Sequence, residues 1–195
     1  SKILTNSLEE LKIPYKFIYD KRRETIVKTR ALDILDGRYH FRFDIEDKIE
    51  ISENHVEEIV NEAKNSKFII ISDYNKGIIN SKLMSELKSL DVPILVDPKK
   101  ENFEFYKDVF LVKPNSFEAR EMTKKNNDLE AAKTLTKSLN SNILLTRASD
   151  CIAYFGLNGD FFSYSSQPIG ELKDVTGAGD SVIATFAHFY NLGSR

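Results

Sequence analysis

The sequence predicts an α/β fold: a mostly parallel β-sheet covered on both faces by helices, with a small separate β-sheet nearer the amino terminus. Three observations carry this. From residue 53 onward, short apolar strands alternate with amphipathic helices, the rhythm of a parallel sheet buried on both sides. Before residue 46, β-rich stretches alternate polar and apolar side chains, as a sheet with one wet face does. Near the carboxyl end, Asp174-Val175-Thr176-Gly177-Ala178-Gly179-Asp180 leads through small residues into an amphipathic run that ends at Leu192.

Taken in order, Leu4, Leu8 and Leu11 mark a helix over residues 2–11, and Pro14 leads into a strand at Tyr15–Tyr19. Thr25–Leu35 and Arg38–Ile45 form two strands, joined by the hairpin signal Asp36-Gly37. Within the second, Phe41 and Phe43 share one face while Arg42 and Asp44 share the other. A polar helix at Glu53–Asn65 precedes the strand Phe68–Ile71, and a helix at Ser81–Leu90 precedes the strand Pro93–Val96. A short segment near Phe103–Tyr106 precedes Val109–Val112, and helices near 115–125 and 128–140 precede Ile143–Thr146. A hairpin of Ile152–Phe155 and Phe161–Tyr164 turns at Asn158-Gly159. Val182, Ile183, Phe186, Phe189 and Tyr190 recur at helical spacing in the last helix, which Gly193 ends.

Bulk properties exclude several classes. The 195 residues suffice for one domain with a real core, and 41% hydrophobic with 30% charged residues is ordinary globular composition. A net charge of −2 argues against a general nucleic-acid surface, and no apolar run has the length of a membrane span. Cys151 is the single cysteine, so no internal disulfide forms, which fits a cytoplasmic protein. His40, His55 and His188 lack ligand spacing. The chain starts at Ser1 inside a helix and stops just after another, which reads as a piece of a longer protein.

The chemistry concentrates where strands end. Ligands of open parallel sheets bind beyond the carboxyl ends of the strands. There the sequence places Asp73-Tyr74-Asn75-Lys76-Gly77, Asp97-Pro98-Lys99, Lys113-Pro114-Asn115-Ser116-Phe117-Glu118, and Thr146-Arg147. Gly177 and Gly179 let a backbone approach an anion at a helix start, where N–H groups lack intrahelical partners and the dipole is positive. Asp180 then reads either as a proton acceptor or as a helix-start carboxylate paired with the dipole. Asn115 with Glu118 has the spacing of a capping pair. The turn is not a Walker A loop, because no Gly-Lys-Ser/Thr follows the glycines.

Together these segments resemble the ribokinase/PfkB carbohydrate kinase family. Asp174–Asp180 looks like its carboxy-terminal signature, and Asn115-Ser116-Phe117-Glu118 like its Asn-x-x-Glu motif. Thr25-Ile26-Val27-Lys28-Thr29-Arg30, Arg42-Phe43-Asp44, Ser72-Asp73-Tyr74-Asn75-Lys76-Gly77 and Asp97-Pro98-Lys99 resemble the branch acting on heptose 7-phosphate. The resemblance implies a ribokinase-like three-layer α/β/α domain over residues 1–195, with a β-sheet lid at 24–45 and missing amino- and carboxy-terminal parts. It also implies ATP-dependent phosphorylation of the anomeric hydroxyl of a sugar phosphate.

Residue by residue, the resemblance makes Asp180 the catalytic base, with Gly177, Ala178 and Gly179 donating N–H groups. Asn115, Ser116, Phe117, Glu118, Lys99, Thr146 and Arg147 meet the nucleotide, and Glu118 with Asn115 holds Mg2+ through water. Lys28, Arg30, Arg42, Asp44, Asp73 and Lys76 meet the sugar phosphate. Asp174 and Thr176 suit a monovalent cation. A homodimer through the lid and a fused nucleotidyltransferase domain are further expectations, and nucleic acid and membrane are not expected partners. Cys151 departs from the family, which usually has glycine there, and the family's Gly-Gly motif and last nucleotide-pocket helix are absent from these residues. The fragment alone is expected to be inactive. Two other readings stay open: another sugar kinase of the same fold, and a non-catalytic nucleotide- or sugar-phosphate-binding module.

Overall fold

A computed structural model describes residues 2–33, 38–46, 48–147, 151–165 and 176–193. The chain divides into two units, Ser1–Asp47 and Lys48–Arg195.

The first unit contains α1 (Lys2–Glu10), β1 (Val27–Leu32) and β2 (Tyr39–Ile45). Tyr15–Tyr19 forms no strand. The rings of Tyr15, Phe17 and Tyr19 stack along the segment, with Tyr15–Phe17 centroids 5.0 Å apart, but the backbone there joins no ladder among the described residues. β1 and β2 pair antiparallel, with Val27 opposite Ile45, Lys28 opposite Asp44, Thr29 opposite Phe43 and Arg30 opposite Arg42. The pleat therefore sorts Val27, Thr29, Phe41, Phe43 and Ile45 onto one face, and Lys28, Arg30, Arg42 and Asp44 onto the other. The expected hairpin turn Asp36-Gly37 lies outside the described residues.

In the second unit, α2 (Glu53–Ala63), β3 (Ile69–Ser72), α3 (Ser81–Lys88), β4 (Ile94–Asp97), β5 (Leu111–Val112), α4 (Ser116–Thr123), α5 (Asp128–Leu139), β6 (Asn142–Arg147), β7 (Cys151–Phe155), β8 (Phe161–Tyr164) and α6 (Ala178–Asn191) follow in turn. A 3-10 helix, Lys100–Tyr106, links β4 to β5. The strands form one sheet in chain order: β3 to β6 are parallel, and β7 and β8 add antiparallel. β5 is shorter than the apolar run Val109–Val112 predicts. The Phe110 carbonyl accepts both Asn142 N–H, at 3.3 Å, and the Asn142 side-chain amide, at 2.7 Å, and Asp108 N–H bonds Leu139 O at 2.7 Å.

Alternation along the strands splits the core into two layers. Ile71, Val96, Val112, Ile143 and Leu145 meet Leu83, Met84, Leu87, Leu135 and Leu139 of the helices on one face. Leu95, Leu111 and Leu144 meet Ile183 and Ala187 of α6 on the other. Most of these side chains are fully buried, each worth roughly 1.5–3 kcal/mol of transfer free energy. The helices start on side-chain caps: Ser52, Asn80, Asn115 and Asn127 each accept a first-turn N–H. α6 differs. It starts on Gly177, at φ 78°, with no side-chain cap.

Candidate active site

Parallel register brings the polar strand ends to one rim. The ladder continues one step past each strand: Asp73 N–H bonds Asp97 O at 3.1 Å, Lys113 N–H bonds Val96 O at 2.8 Å, and Thr146 N–H bonds Pro114 O at 3.0 Å. Asp97, Lys113, Asn115 and Thr146 are thereby held by backbone, not by loops alone. Asn115 and Thr146 form an isolated parallel bridge.

The start of α6 belongs to this rim. Lys113 is 3% exposed, and its Nζ lies 3.0 Å from Asp97 Oδ1. A Cβ added at Gly179 would sit 3.1 Å from that same Nζ, so the glycine lets the ammonium nestle against the helix start. A buried cation beside a positive helix end is electrostatically uphill, and Asp97 offsets only part of it. An anion arriving here would find both a point charge and backbone donors. Asp180 follows in the first turn and is exposed, as is Ala178.

Asn115 and Glu118 form a reciprocal capping box: Asn115 Oδ1 accepts Glu118 N–H at 2.9 Å, and Glu118 Oε2 accepts Asn115 N–H at 3.0 Å. Lys99 Nζ reaches Glu118 Oε1 at 2.9 Å. Burial presses the Lys99 pKa down, but the hydrogen bond and charge of Glu118, helped by Asp97 and Asp73, outweigh it, and the net shift is upward. Phe117 projects outward, 64% exposed. No group of three or more His, Cys, Asp and Glu gathers as a metal cage among the described residues. Mg2+ asks for less, one or two carboxylates plus water and phosphate oxygens. Glu118, in the first turn of α4, fits that donor set, since each of its oxygens keeps a second lone pair.

Ser116 and Arg147 meet at a carboxylate that the sequence reading overlooked. Asp128 Oδ2 accepts Ser116 Oγ–H at 2.7 Å and Arg147 Nε–H at 2.9 Å. Burial raises the Asp128 pKa, but the Arg147 and Ser116 hydrogen bonds override it and hold the carboxyl below its ordinary value. Asp73, expected to meet substrate, is turned inward. It is 6% exposed; Oδ1 accepts Asn75 N–H at 2.6 Å, and Oδ2 accepts Asn102 Nδ2–H at 2.6 Å and a short hydrogen bond from Tyr106. Its geometry is that of an internal clamp. Lys76, in the same loop, is half-buried.

In the first unit, Lys28, Arg30 and Arg42 are exposed, and Arg42 Nε lies 2.8 Å from Asp44 Oδ1. Asp174 and residues 148–150 lie outside the described residues, and Thr176 is exposed.

The chain is 34% identical over 178 residues to the bifunctional protein HldE of Campylobacter curvus, covering 85% of this chain and 37% of that protein. To HldE of Hyphomonas neptunium it is 32% identical over 193 residues, covering 92% and 39%. It thus spans about two-fifths of the length of these relatives. Among solved structures, phosphofructokinase-2 from Escherichia coli in its tetrameric inhibited form superposes with a TM-score of 0.77 at 15% identity, covering 100% of this chain and 67% of that one. Arabidopsis thaliana ribokinase complexed with ribose and ATP gives 0.67 at 19%, covering 89% and 58%. These two show a ribokinase-like fold. The model of the pfkB family carbohydrate kinases matches residues 1–194, nearly the whole chain, and so the elbow at Gly177–Asp180 and the capped Asn115–Glu118 turn sit in a chain that belongs to that family.

Proposed function

We propose that the full-length protein transfers the γ-phosphoryl group of ATP to the anomeric hydroxyl of a sugar phosphate, D-glycero-β-D-manno-heptose 7-phosphate, giving the 1,7-bisphosphate for ADP-heptose synthesis. The observation that carries the reading is the buried Lys113 ammonium packed against Gly179 at the uncapped start of α6. Phosphoryl transfer asks mainly for positioning and charge neutralisation, and this rim offers both.

Asp180 accepts the proton of the attacking hydroxyl, a contribution of about 10²–10⁴ in rate. The N–H groups of Gly177, Ala178 and Gly179, with Lys113, meet charge on the moving phosphoryl group. Glu118 and Asn115 hold Mg2+ through water, and bound Mg2+ neutralises nucleotide phosphate charge. Lys99, Ser116, Phe117, Thr146 and Arg147 line the nucleotide side. On the lid, Arg30 stands opposite Arg42 and Lys28 opposite Asp44, three cations with one carboxylate, a net positive face that suits a phosphate dianion. Lys76 adds to the sugar-phosphate side, and Thr176 contributes to a monovalent cation site. The homology to bifunctional HldE proteins supports the heptose substrate and a fused nucleotidyltransferase domain elsewhere in the protein. The apolar lid face supports a homodimer through the lid.

A coupled assay of the full-length protein against heptose 7-phosphate, fructose 6-phosphate and ribose tests the substrate. Heptose 7-phosphate should turn over fastest; equal use of ribose would remove the sugar-phosphate reading. Asp180→Asn should cut kcat by about 10²-fold or more while nucleotide affinity holds. Near-normal turnover would end the base assignment.

A further inference from the structure

Asp73, Asn102 and Tyr106 form a buried polar cluster that the functional reading leaves unused, and it reaches Lys99. Asp73 is buried at the end of β3, and its charged carboxylate is satisfied by neutral donors: Asn75 N–H, Asn102 Nδ2–H and the Tyr106 hydroxyl. Tyr106 is fully buried at the end of the 3-10 helix, and Asn102 is 6% exposed within it. The same Tyr106 oxygen accepts Lys99 N–H at 3.0 Å and lies 3.2 Å from Lys99 O. The hydroxyl has one proton, given to Asp73, so the phenol oxygen holds the backbone of Lys99 by accepting its N–H, and the Lys99 side chain spans to Glu118 at 2.9 Å.

We propose that Tyr106, oriented by Asp73 and Asn102, is a positioning residue that fixes Lys99 at the rim where phosphoryl transfer takes place. The proposal rests on the kinase reading and on Lys99 meeting phosphate. The chemistry suits the task. A phenol donates to the buried carboxylate and accepts from an amide with the same atom, which phenylalanine cannot do. Burial first, and the Asp73 hydrogen bond second, raise the Tyr106 pKa far above its ordinary value, so the hydroxyl stays protonated at every working pH. Lys99 heads the turn: its backbone is extended, φ −124° and ψ 138°, its carbonyl accepts Asn102 N–H at 3.1 Å, and it caps the 3-10 helix without a side-chain hydrogen bond. Displacement of a reacting group by about 1 Å can cost 10²-fold in rate. A single deleted hydroxyl can therefore reach the chemistry without touching substrate.

The test is a double-mutant cycle in the full-length enzyme, assayed with MgATP and the acceptor that the wild-type protein turns over fastest. Tyr106→Phe should lower kcat about tenfold, leaving KM for the sugar unchanged. Lys99→Met should lower kcat further. Tyr106→Phe added to Lys99→Met should then cost nothing more, because both changes remove one device. Asp73→Asn, which keeps the side-chain volume, gives a second entry to the cycle and should also lower kcat without raising KM for the sugar. Independent, multiplying effects of Tyr106→Phe and Lys99→Met would overturn the proposal, as would wild-type kcat in Tyr106→Phe. A raised sugar KM in Asp73→Asn would overturn it too, by restoring Asp73 to the substrate. Wild-type turnover in Lys99→Met is a different result: it removes the phosphate role of Lys99 itself.

Discussion

Two single residues make the sharpest predictions about stability. Gly77 has φ +79°, and a Cβ there would lie 2.3 Å from the Ile49 carbonyl oxygen, where Ile51 N–H also bonds Gly77 O at 2.9 Å. Two backbones approach at that point with no room for a side chain. Gly77→Ala should destabilise the chain by about 2–4 kcal/mol, seen as a lower urea midpoint with an unchanged slope. Asp128 makes the second. Its carboxyl is held below the ordinary value by Arg147 and Ser116, so its contribution to stability is full above the ordinary value and is lost as pH falls from there through the lowered folded-state value. Thermal melts from about pH 5 down to pH 3 should show a steeper loss in wild type than in Asp128→Asn. Parallel acid limbs would show that the carboxylate contributes nothing. Neither site was visible as such beforehand. Gly77 stood in a polar loop like many glycines, and Asp128 looked like an ordinary first-turn carboxylate, since the sequence does not reveal that Arg147, 19 residues on, folds back to it.

At the scale of elements, periodicity located the helices and strands described in the second unit, because most of them bury a face and burial imposes the pattern. It failed at Tyr15–Tyr19, where alternation is real but no strand offers a ladder. It also overran β5, whose ladder partners begin at Leu111. The polar strand ends were legible as a rim, and the Asn115–Glu118 pair as a cap. The partners that give them meaning were not. Lys113 looked like any lysine leaving a strand until register put Asp97 beside it and α6 against it. Asn102 and Tyr106 sit in a non-repeating turn and reach Asp73 across 29 and 33 residues. The lid sheet makes its own prediction. Phe41 and Phe43 are 63% and 59% exposed on its apolar face. In the full-length protein, Phe41→Asp should move the mass measured by light scattering from dimer toward monomer, with the circular dichroism spectrum kept. An unchanged mass would remove the lid as the dimer contact.

For the chain as a whole, the two units differ in what holds them. α1 buries no residue, and β1 and β2 have no buried side chain. The second unit contains every fully buried aliphatic side chain, at the centre of a six-stranded sheet. Local opening is cheap where few apolar contacts must break. Amide exchange followed by mass spectrometry should therefore label residues 2–46 within seconds and leave β4, β5 and β6 protected for hours. Equal protection of both units would contradict this. No helix among the described residues is long and apolar enough to cross a membrane.

The contact between Lys113 and Gly179 also reaches beyond this one chain. The ammonium fills the space a side chain at 179 would need, so the two positions share one volume although 66 residues separate them in sequence. A methyl group at 179 would press on that ammonium, and Lys113 would have to give by a few tenths of an ångström to admit it. An alignment of many relatives should carry that coupling as a bias, lysine at the one site accompanying glycine at the other.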